Sequence, residues 1–288
     1  MTKPMLLAEF TRLPPASRAC PLDGLSAAID MVAEAAPASH RFLRYQYYAA
    51  ALALQGGAAR TMLVEHDGNA VIALPFVRTG PAAARLAMVP GVDAPFRGFP
   101  AASDTADAAF DTLVDALAGE FNALRIGPAA DDDAPFAALR AAAVRRGWML
   151  LDRPAPMAAS ARSILENGDT FDSAALMAGG FATLADVEDS AALAFWRAVA
   201  EDPLLAAVMS ARVVSGADQP TAFTLYLDIA GILHAVVSGG DTRLLEGTPG
   251  PGMREWLLVR PGLPALLGRA LSGLWLRRPV DQATPTPL

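Results

Sequence analysis

Two short apolar segments joined by Asp67-Gly68-Asn69 predict a β-hairpin in the early part of the chain. Residues 61–66 (TMLVEH) and 70–77 (AVIALPFV) are rich in residues that favour strands. Asp-Gly is typical of the tight turn that connects two antiparallel strands. Because an isolated hairpin is marginal in water, this motif predicts a larger sheet with other elements packed on it.

The segments around the hairpin alternate between helix and strand patterns. We predict helices at 20–54, 105–122 and 135–146, and strands at 85–89, 124–126 and 148–151. This order predicts a mixed sheet covered by helices, and therefore an α/β (α+β mixed sheet) fold.

A similar order of elements returns later in the chain. Prolines, glycines and small residues indicate a boundary near residue 155, so we expect one domain at 1–155 and another at 156–288. In the second half we predict helices at 184–200 and 203–211, a hairpin at 222–230 and 232–237, a glycine-rich loop at 247–252, helices at 253–259 and 263–278, and a disordered tail from about 279. The recurrence indicates two related halves.

Composition excludes several classes of protein. Thirty acidic residues against 23 basic ones give a net charge of −7, which argues against a non-specific nucleic-acid binder. No charge-free stretch approaches the about 20 residues that a membrane span needs. The first 12 residues lack the apolar core of a signal peptide, so we expect a cytoplasmic protein.

The rare reactive residues narrow the chemistry further. Cys20 is the one cysteine, which excludes an internal disulfide and a cysteine-rich zinc site. The three histidines, His40, His66 and His234, are far apart in sequence, so no metal site is predicted. Lys3 is the one lysine, which excludes a Schiff-base or P-loop lysine elsewhere.

Five segments together resemble a known family. They are 41–48 (RFLRYQYY), 62–77 and 85–89 in the first half, and 220–241 and 248–253 in the second. On these segments the chain resembles the tandem GNAT acyltransferases of the CelD/BcsL type, which are linked to cellulose biosynthesis. The Fem peptidyltransferases are more distant relatives of that family.

The resemblance implies two GNAT-like domains in tandem. It also implies transfer of an acetyl or other acyl group from acetyl-CoA or another acyl-CoA, as co-substrate, to a small-molecule or saccharide acceptor. In this superfamily a strand leads into a Gln/Arg-x-x-Gly-x-Gly/Ala loop and then a helix. The matching positions here are Gly247, Gly250 and Gly252, and the first is neither Gln nor Arg.

The glycine-rich loop has the chemistry of a phosphate cradle. Glycines let the backbone approach a ligand closely, and a helix that begins after them offers unpaired N–H groups. We therefore expect Gly250, Gly252 and Met253 to bind the pyrophosphate of coenzyme A, with Arg243 and Arg254 as charged donors. The alternative is an ordinary Pro-Gly turn that caps a helix beside solvated arginines.

His234 is the candidate base, because the superfamily often places its base on the strand before this loop. A neutral imidazole can accept a proton near neutral pH. Tyr226 is the candidate donor to the leaving thiolate, and Asp241 and Glu246 are alternative bases. Packing roles for His234 and Tyr226 remain open.

Two loops and the chain's departures from the family leave alternatives open. We expect Asp131-Asp132-Asp133 to cap a helix or face water, with metal binding as an alternative, and residues 96–99 to line an acceptor cleft or form a structural loop. The imperfect loop motif and the absence of the family's usual final strand favour a second function. In that alternative the chain is a catalytically inactive GNAT-like binding or scaffold protein.

Overall fold

The protein is described by a computed structural model that covers residues 17–92, 97–130, 132–155, 159–160, 169–216, 220–241, 248–249 and 253–263. These residues form two β-sheets with helices packed against them. No helix in this part of the chain is both long enough and apolar enough to cross a bilayer. The expected α/β class with mixed sheets is confirmed.

The elements of the first half follow in chain order. They are β1 (Ser17–Asp23), α1 (Ala28–Ala35), a 3-10 turn (Ala38–His40), α2 (Tyr45–Gln55), β2 (Ala59–His66), β3 (Asn69–Thr79), a second 3-10 turn (Ala82–Ala84), β4 (Leu86–Met88), α3 (Asp107–Glu120), β5 (Ala123–Ala129), α4 (Ala134–Arg145) and β6 (Met149–Pro154).

The second half has shorter helices and a second set of strands. They are β7 (Ala159–Ser160), β8 (Asp169–Phe171), α5 (Ser173–Ala175), a π-helical turn (Leu176–Gly180), α6 (Phe181–Val187), α7 (Ala191–Val199), α8 (Pro203–Ala206), β9 (Met209–Ser215), β10 (Pro220–Ile229), β11 (Ile232–Gly240), β12 (Thr248–Pro249) and β13 (Arg254–Val259).

Both predicted hairpins are confirmed, and local turn chemistry explains them. Asp67 and Gly68 have φ of 51° and 81° between β2 and β3, and Ala230 and Gly231 have φ of 55° and 80° between β10 and β11. A two-residue loop with two positive φ angles matches the right-handed twist of the strands that it joins. The turn residues alone therefore account for both hairpins.

The first sheet has seven strands in the order β1-β2-β3-β4-β5-β13-β6. Strands β4 and β5 are parallel, and α3 forms the crossover between them. Strand β13 lies between β5 and β6 and is antiparallel to both. A strand from the second half thus completes the sheet of the first half.

The second sheet has six strands in the order β12-β7-β11-β10-β9-β8, with two-residue strands at one edge. One hydrophobic core runs through both halves. Helices α2 and α7 connect the two halves within this core. The centroid of the Tyr47 ring in α2 lies 5.6 Å from that of Phe195 and 6.3 Å from that of Trp196, both in α7. The domain boundary near residue 155 stays a prediction, although β13 shows that the first sheet draws on residues beyond it.

Three helix predictions overlook a strand: two are wrong in part and the third is wrong throughout. Residues 17–23 form β1 rather than the start of a helix, and β9 replaces the end of the helix predicted at 203–211. The helix predicted at 253–259 is β13, in which five of six residues are buried. Short apolar runs of this kind fit a buried strand as well as a buried helix, and only the partners decide. The helix predicted at 263–278 and the tail from about 279 lie outside the described residues, apart from Leu263.

Candidate functional site

The glycine-rich loop begins at one edge of the second sheet. Thr248 and Pro249 form β12, which pairs with β7 at Ser160 and Ala159. The predicted coenzyme-binding residues Arg243, Gly250 and Gly252 lie outside the described residues. Their role therefore stays a prediction.

The helix that was expected to follow this loop is absent, which removes part of the phosphate-cradle argument. Met253 and Arg254 lead into β13, where the carbonyl oxygen of Met253 accepts a hydrogen bond from the Ala155 N–H at 2.9 Å. A strand between two partners uses its N–H groups in the sheet and has no positive dipole end. The guanidinium of Arg254 forms an ion pair with Asp152. A phosphate at this loop would thus depend on the glycine backbone and the arginines alone.

His234 lies in β11, opposite Leu227 of β10 on one side and Ser160 of β7 on the other. Its side chain is half-buried. Burial lowers the pKa of the His234 imidazole from its ordinary value of 6.5, and the negative charge of Asp228 acts in the opposite direction. The imidazole is therefore neutral near pH 7, as a proton acceptor has to be.

Tyr226 lies in β10 opposite Ala235, and it is 4% exposed. Burial raises the pKa of the Tyr226 hydroxyl above its ordinary value of 10.0, while a hydrogen bond with Thr224 and the charge of Arg212 oppose that shift. The hydroxyl thus keeps its proton at neutral pH.

The structure does not bring His234 and Tyr226 together. Residues directly opposite each other in an antiparallel pair share a face, and successive pairs alternate between the two faces. Because Tyr226 pairs with Ala235 and His234 pairs with Leu227, the two side chains lie on opposite faces of the second sheet. They cannot act as base and acid on the two sides of one reacting carbonyl.

The register instead places His234 near the start of the glycine-rich loop. Ser160 of β7 pairs with His234 on one side and with Thr248 on the other. One strand therefore separates the two backbones, which corresponds to about 10 Å. This proximity depends on the pairing of two-residue strands, so sequence periodicity could not reveal it.

A groove between the two halves was missed by the sequence reasoning. It has a volume of about 560 Å³, in the range of small-molecule sites. The first half contributes Glu34, Ala38, Arg41, Phe42 and Arg44; the second contributes Leu204, Leu205, Val208, Asp228, Ile229 and Ala230. Its residues are spread over almost 200 positions of sequence, so no local motif marks it.

In the first half, a described loop residue occupies the place where the parallel strands β4 and β5 diverge. Beyond Met88 the place beside β5 is taken by the backbone of Arg97, whose N–H donates to Pro128 O at 2.8 Å and whose carbonyl accepts from Gly127 N at 3.1 Å. The Tyr48 hydroxyl donates to Gly98 O at 2.9 Å. These contacts support the structural alternative for residues 97–99, since the loop fills the position in which a ligand would lie.

A buried His40–Asp133 pair also escaped the sequence reasoning. His40 is 2% exposed, with Nδ1 3.2 Å from Phe99 O and Nε2 2.5 Å from the Asp133 carboxylate. Asp133 also accepts a hydrogen bond from Phe136 N at 2.9 Å and caps α4, which confirms a capping role within the acidic run. Among the described residues no group of three or more metal-ligating side chains is found. Through its contacts with Phe99 and Asp133, His40 ties the 3-10 turn to the loop before α3 and to the start of α4.

Comparison with known proteins gives little to add to this geometry. No protein-family model and no curated protein matches the chain. A tandem GNAT protein from the clavulanic acid biosynthesis pathway, solved without AcCoA, is similar at 13% identity, with 85% of this chain and 100% of that chain covered and a TM-score of 0.35. A conserved protein of unknown function from Enterococcus faecalis V583, described as a probable N-acyltransferase, is similar at 8% identity, with 77% and 59% covered and a TM-score of 0.27. Since both TM-scores are below 0.5, neither likeness carries an argument about function.

Proposed function

We propose that the chain is an acyl-CoA-dependent N- or O-acyltransferase with two GNAT-like halves and that its chemistry takes place at the His234 edge of the second sheet. The observation that carries the proposal is the register through Ser160, which places the start of the glycine-rich loop about 10 Å from His234. The lowered pKa of His234 supports its role as base. The sequence resemblance to tandem GNAT acyltransferases supplies the reaction class.

The reaction is a direct transfer. The acceptor nitrogen or oxygen attacks the thioester carbonyl, so a C–N or C–O bond forms and the C–S bond breaks. The acceptor proton passes to the neutral His234 imidazole, and the coenzyme leaves as a thiolate that takes up a proton. The backbone at Gly250 and Gly252 would hold the pyrophosphate, with Arg243 and Arg254 assisting. Because Tyr226 lies on the other face, water is the simplest proton source for the thiolate.

Coenzyme A should stabilise the protein against heat if the loop binds it. At a hundredfold excess over the dissociation constant, one site stabilises the folded state by about 2.7 kcal/mol. Gly250→Leu and Gly252→Leu should abolish this shift, because a side chain blocks the backbone from the phosphates. Differential scanning fluorimetry measures the effect. Gly119→Leu is the matched control, since nothing lies within 4 Å of a Cβ at that position. The absence of a shift in the unsubstituted protein would contradict the loop assignment.

His234→Ala should lower the rate of acyl transfer by about 10²- to 10⁴-fold, which is the usual contribution of a general base. In the unsubstituted protein the rate should fall as the pH drops through the pKa of His234, which lies below 6.5, since protonation removes the base. Thiol release from acetyl-CoA with an amine acceptor measures both effects. His66→Ala, in the first sheet, is the control and should leave the rate unchanged. A His234→Ala variant with the same rate and pH profile would exclude the base role.

A second candidate function is a GNAT-like binding or scaffold protein without catalysis. Two observations favour it: the predicted base and acid lie on opposite faces, and a strand follows the loop where a helix was expected. Stabilisation by coenzyme A without thiol release in the presence of varied amines and alcohols would support this candidate over the enzyme.

A further inference from the structure

We propose that the groove between the two halves is a binding site for an apolar α-amino acid or a short apolar peptide in its zwitterionic form. The groove is lined by both halves and has a volume of about 560 Å³. Its lining includes none of the described residues at the ends of the glycine-rich loop, and its use as a binding site does not depend on acyl transfer.

The inner surface of the groove is apolar. Phe42, Leu205 and Ile229 line it and are at most 5% exposed, so their side chains are already packed in the core and form a fixed surface. Leu204, by contrast, is 57% exposed at the same groove. An apolar side chain of a ligand that covers Leu204 would remove apolar surface from water, which is favourable.

Arg44 is part of this lining, but three carboxylates already take up its positive charge. Its Nε donates to the Asp202 carboxylate at 2.8 Å, and its other nitrogens lie 3.7 Å from Asp30 and 3.5 Å from Glu34. Burial alone would lower the pKa of Arg44, but the hydrogen bond with Asp202 and the charges of the three acids together raise it. This cluster therefore fixes the wall of the groove and leaves Arg44 no positive charge for a ligand.

Arg41 and Asp228 are the charges that a ligand can use. Arg41 belongs to the first-half wall and is exposed, and within the described part of the chain its guanidinium has no ion-pair partner. Asp228 belongs to the second-half wall and is also exposed; its Oδ1 accepts the Gly231 N–H at 2.8 Å, which fixes the carboxylate. One cation and one anion in the same groove, contributed by different halves of the chain, complement a carboxylate and an ammonium group in one molecule.

The combination specifies the chemical class. A simple anion would be repelled by Asp228 and by the excess of carboxylates around Arg44, and a simple cation would leave the Arg41 guanidinium without a partner. A purely apolar ligand would leave these charges less hydrated without a partner, which is costly. An apolar amino acid satisfies the two charges and the apolar surface together.

Binding of L-leucine to the unsubstituted protein, measured by isothermal titration calorimetry, tests the proposal without any acyl-CoA. Two leucine analogues separate the contacts: 4-methylpentanoate lacks the ammonium group, and 3-methylbutylamine lacks the carboxylate. Each should bind at least about tenfold more weakly than leucine, since one charge-assisted contact is lost.

Two substitutions should give opposite patterns. Arg41→Gln should weaken the binding of leucine and 4-methylpentanoate without weakening that of 3-methylbutylamine, whereas Asp228→Asn should weaken the binding of leucine and 3-methylbutylamine without weakening that of 4-methylpentanoate. Asparagine keeps an oxygen for the Gly231 N–H, so the hairpin should persist. Arg18→Gln, on the exposed β1 strand, is the control and should change nothing.

Three results would overturn the proposal. One is the absence of leucine binding at millimolar concentration. Another is binding that both Arg41→Gln and Asp228→Asn leave unchanged while their melting temperatures match the unsubstituted protein. A third is equal affinity for leucine and for both analogues, which would indicate a purely apolar site. Loss of transferase activity in any variant bears on the proposed function and not on this site.

Discussion

Glu255→Ala should lower the free energy of unfolding by about 3–5 kcal/mol, the usual cost of removing one partner from a buried ion pair. Glu255 lies in β13 and is 3% exposed. Its carboxylate accepts hydrogen bonds from Arg125 of β5 at 2.5 Å and from Arg153 of β6 at 2.9 and 2.5 Å. Without it, two guanidinium groups face each other across the gap. Urea denaturation followed by circular dichroism measures the loss.

Two comparison variants make this result specific. Asp152→Asn removes the partner of Arg254, but that pair is 40–47% exposed and its loss should cost less than about 1 kcal/mol. The triple variant Glu255→Met, Arg125→Met and Arg153→Met removes all three charges and should cost less than Glu255→Ala alone. If Glu255→Ala and Asp152→Asn were equally stable, the triad would not hold β13 in the sheet.

The same triad predicts how stability depends on pH. Burial alone would raise the pKa of Glu255, but the hydrogen bonds and charges of Arg125 and Arg153 outweigh burial and lower it below 4.5. Because the folded state has the lower pKa, this contribution is present above pH 4.5 and is lost as the pH falls through the lowered value. Glu255→Ala should remove that part of the acid sensitivity.

Trp196→Ala should cost about 3–5 kcal/mol, as large aromatic truncations in a core do. Trp196 is 1% exposed and lies in α7, with its ring 5.0 Å from Phe195 and 6.3 Å from Tyr47 of the first half. The cavity would open at the contact between the halves, so both sheets should lose stability together.

Thermal unfolding followed by tryptophan fluorescence and by circular dichroism measures this coupling. The two probes should give the same lowered midpoint in Trp196→Ala. Met31→Ala, at a side chain that is 62% exposed on α1, is the control and should change the midpoint little. Separate transitions of the unsubstituted protein would contradict a shared core.

Local chemistry determined which elements the sequence could predict. The two hairpins were readable because Asp67-Gly68 and Gly231 satisfy the turn within two residues. Helix α4 was readable because Asp133 caps it and Pro135 lies in its first turn. In each case the signal and the structure that it specifies lie in the same few residues.

The elements and site features that the sequence did not predict depend on contacts between distant residues. Residues 254–259 (REWLLV) form β13 because they pair with β5 and β6, which lie about 100 residues earlier in the chain. The hydrophobic periodicity of the segment carries no information about these distant partners. The pairing of Ser160 with both His234 and Thr248, and the groove that both halves line, arise in the same way. Sequence reasoning could thus propose His234 and Tyr226 as site residues, but it could not assign them to opposite faces.

The position of β13 also has a consequence for the order of synthesis. Residue 154 ends β6, whereas β13 begins at residue 254, so 100 residues separate them on the ribosome. At the usual rate of about 5–20 residues per second, β5 and β6 wait roughly 5–20 s for the strand that joins them. During that interval their inner edges have no neighbour, and a nascent chain in this state would be a natural client of chaperones that shield unpaired strands.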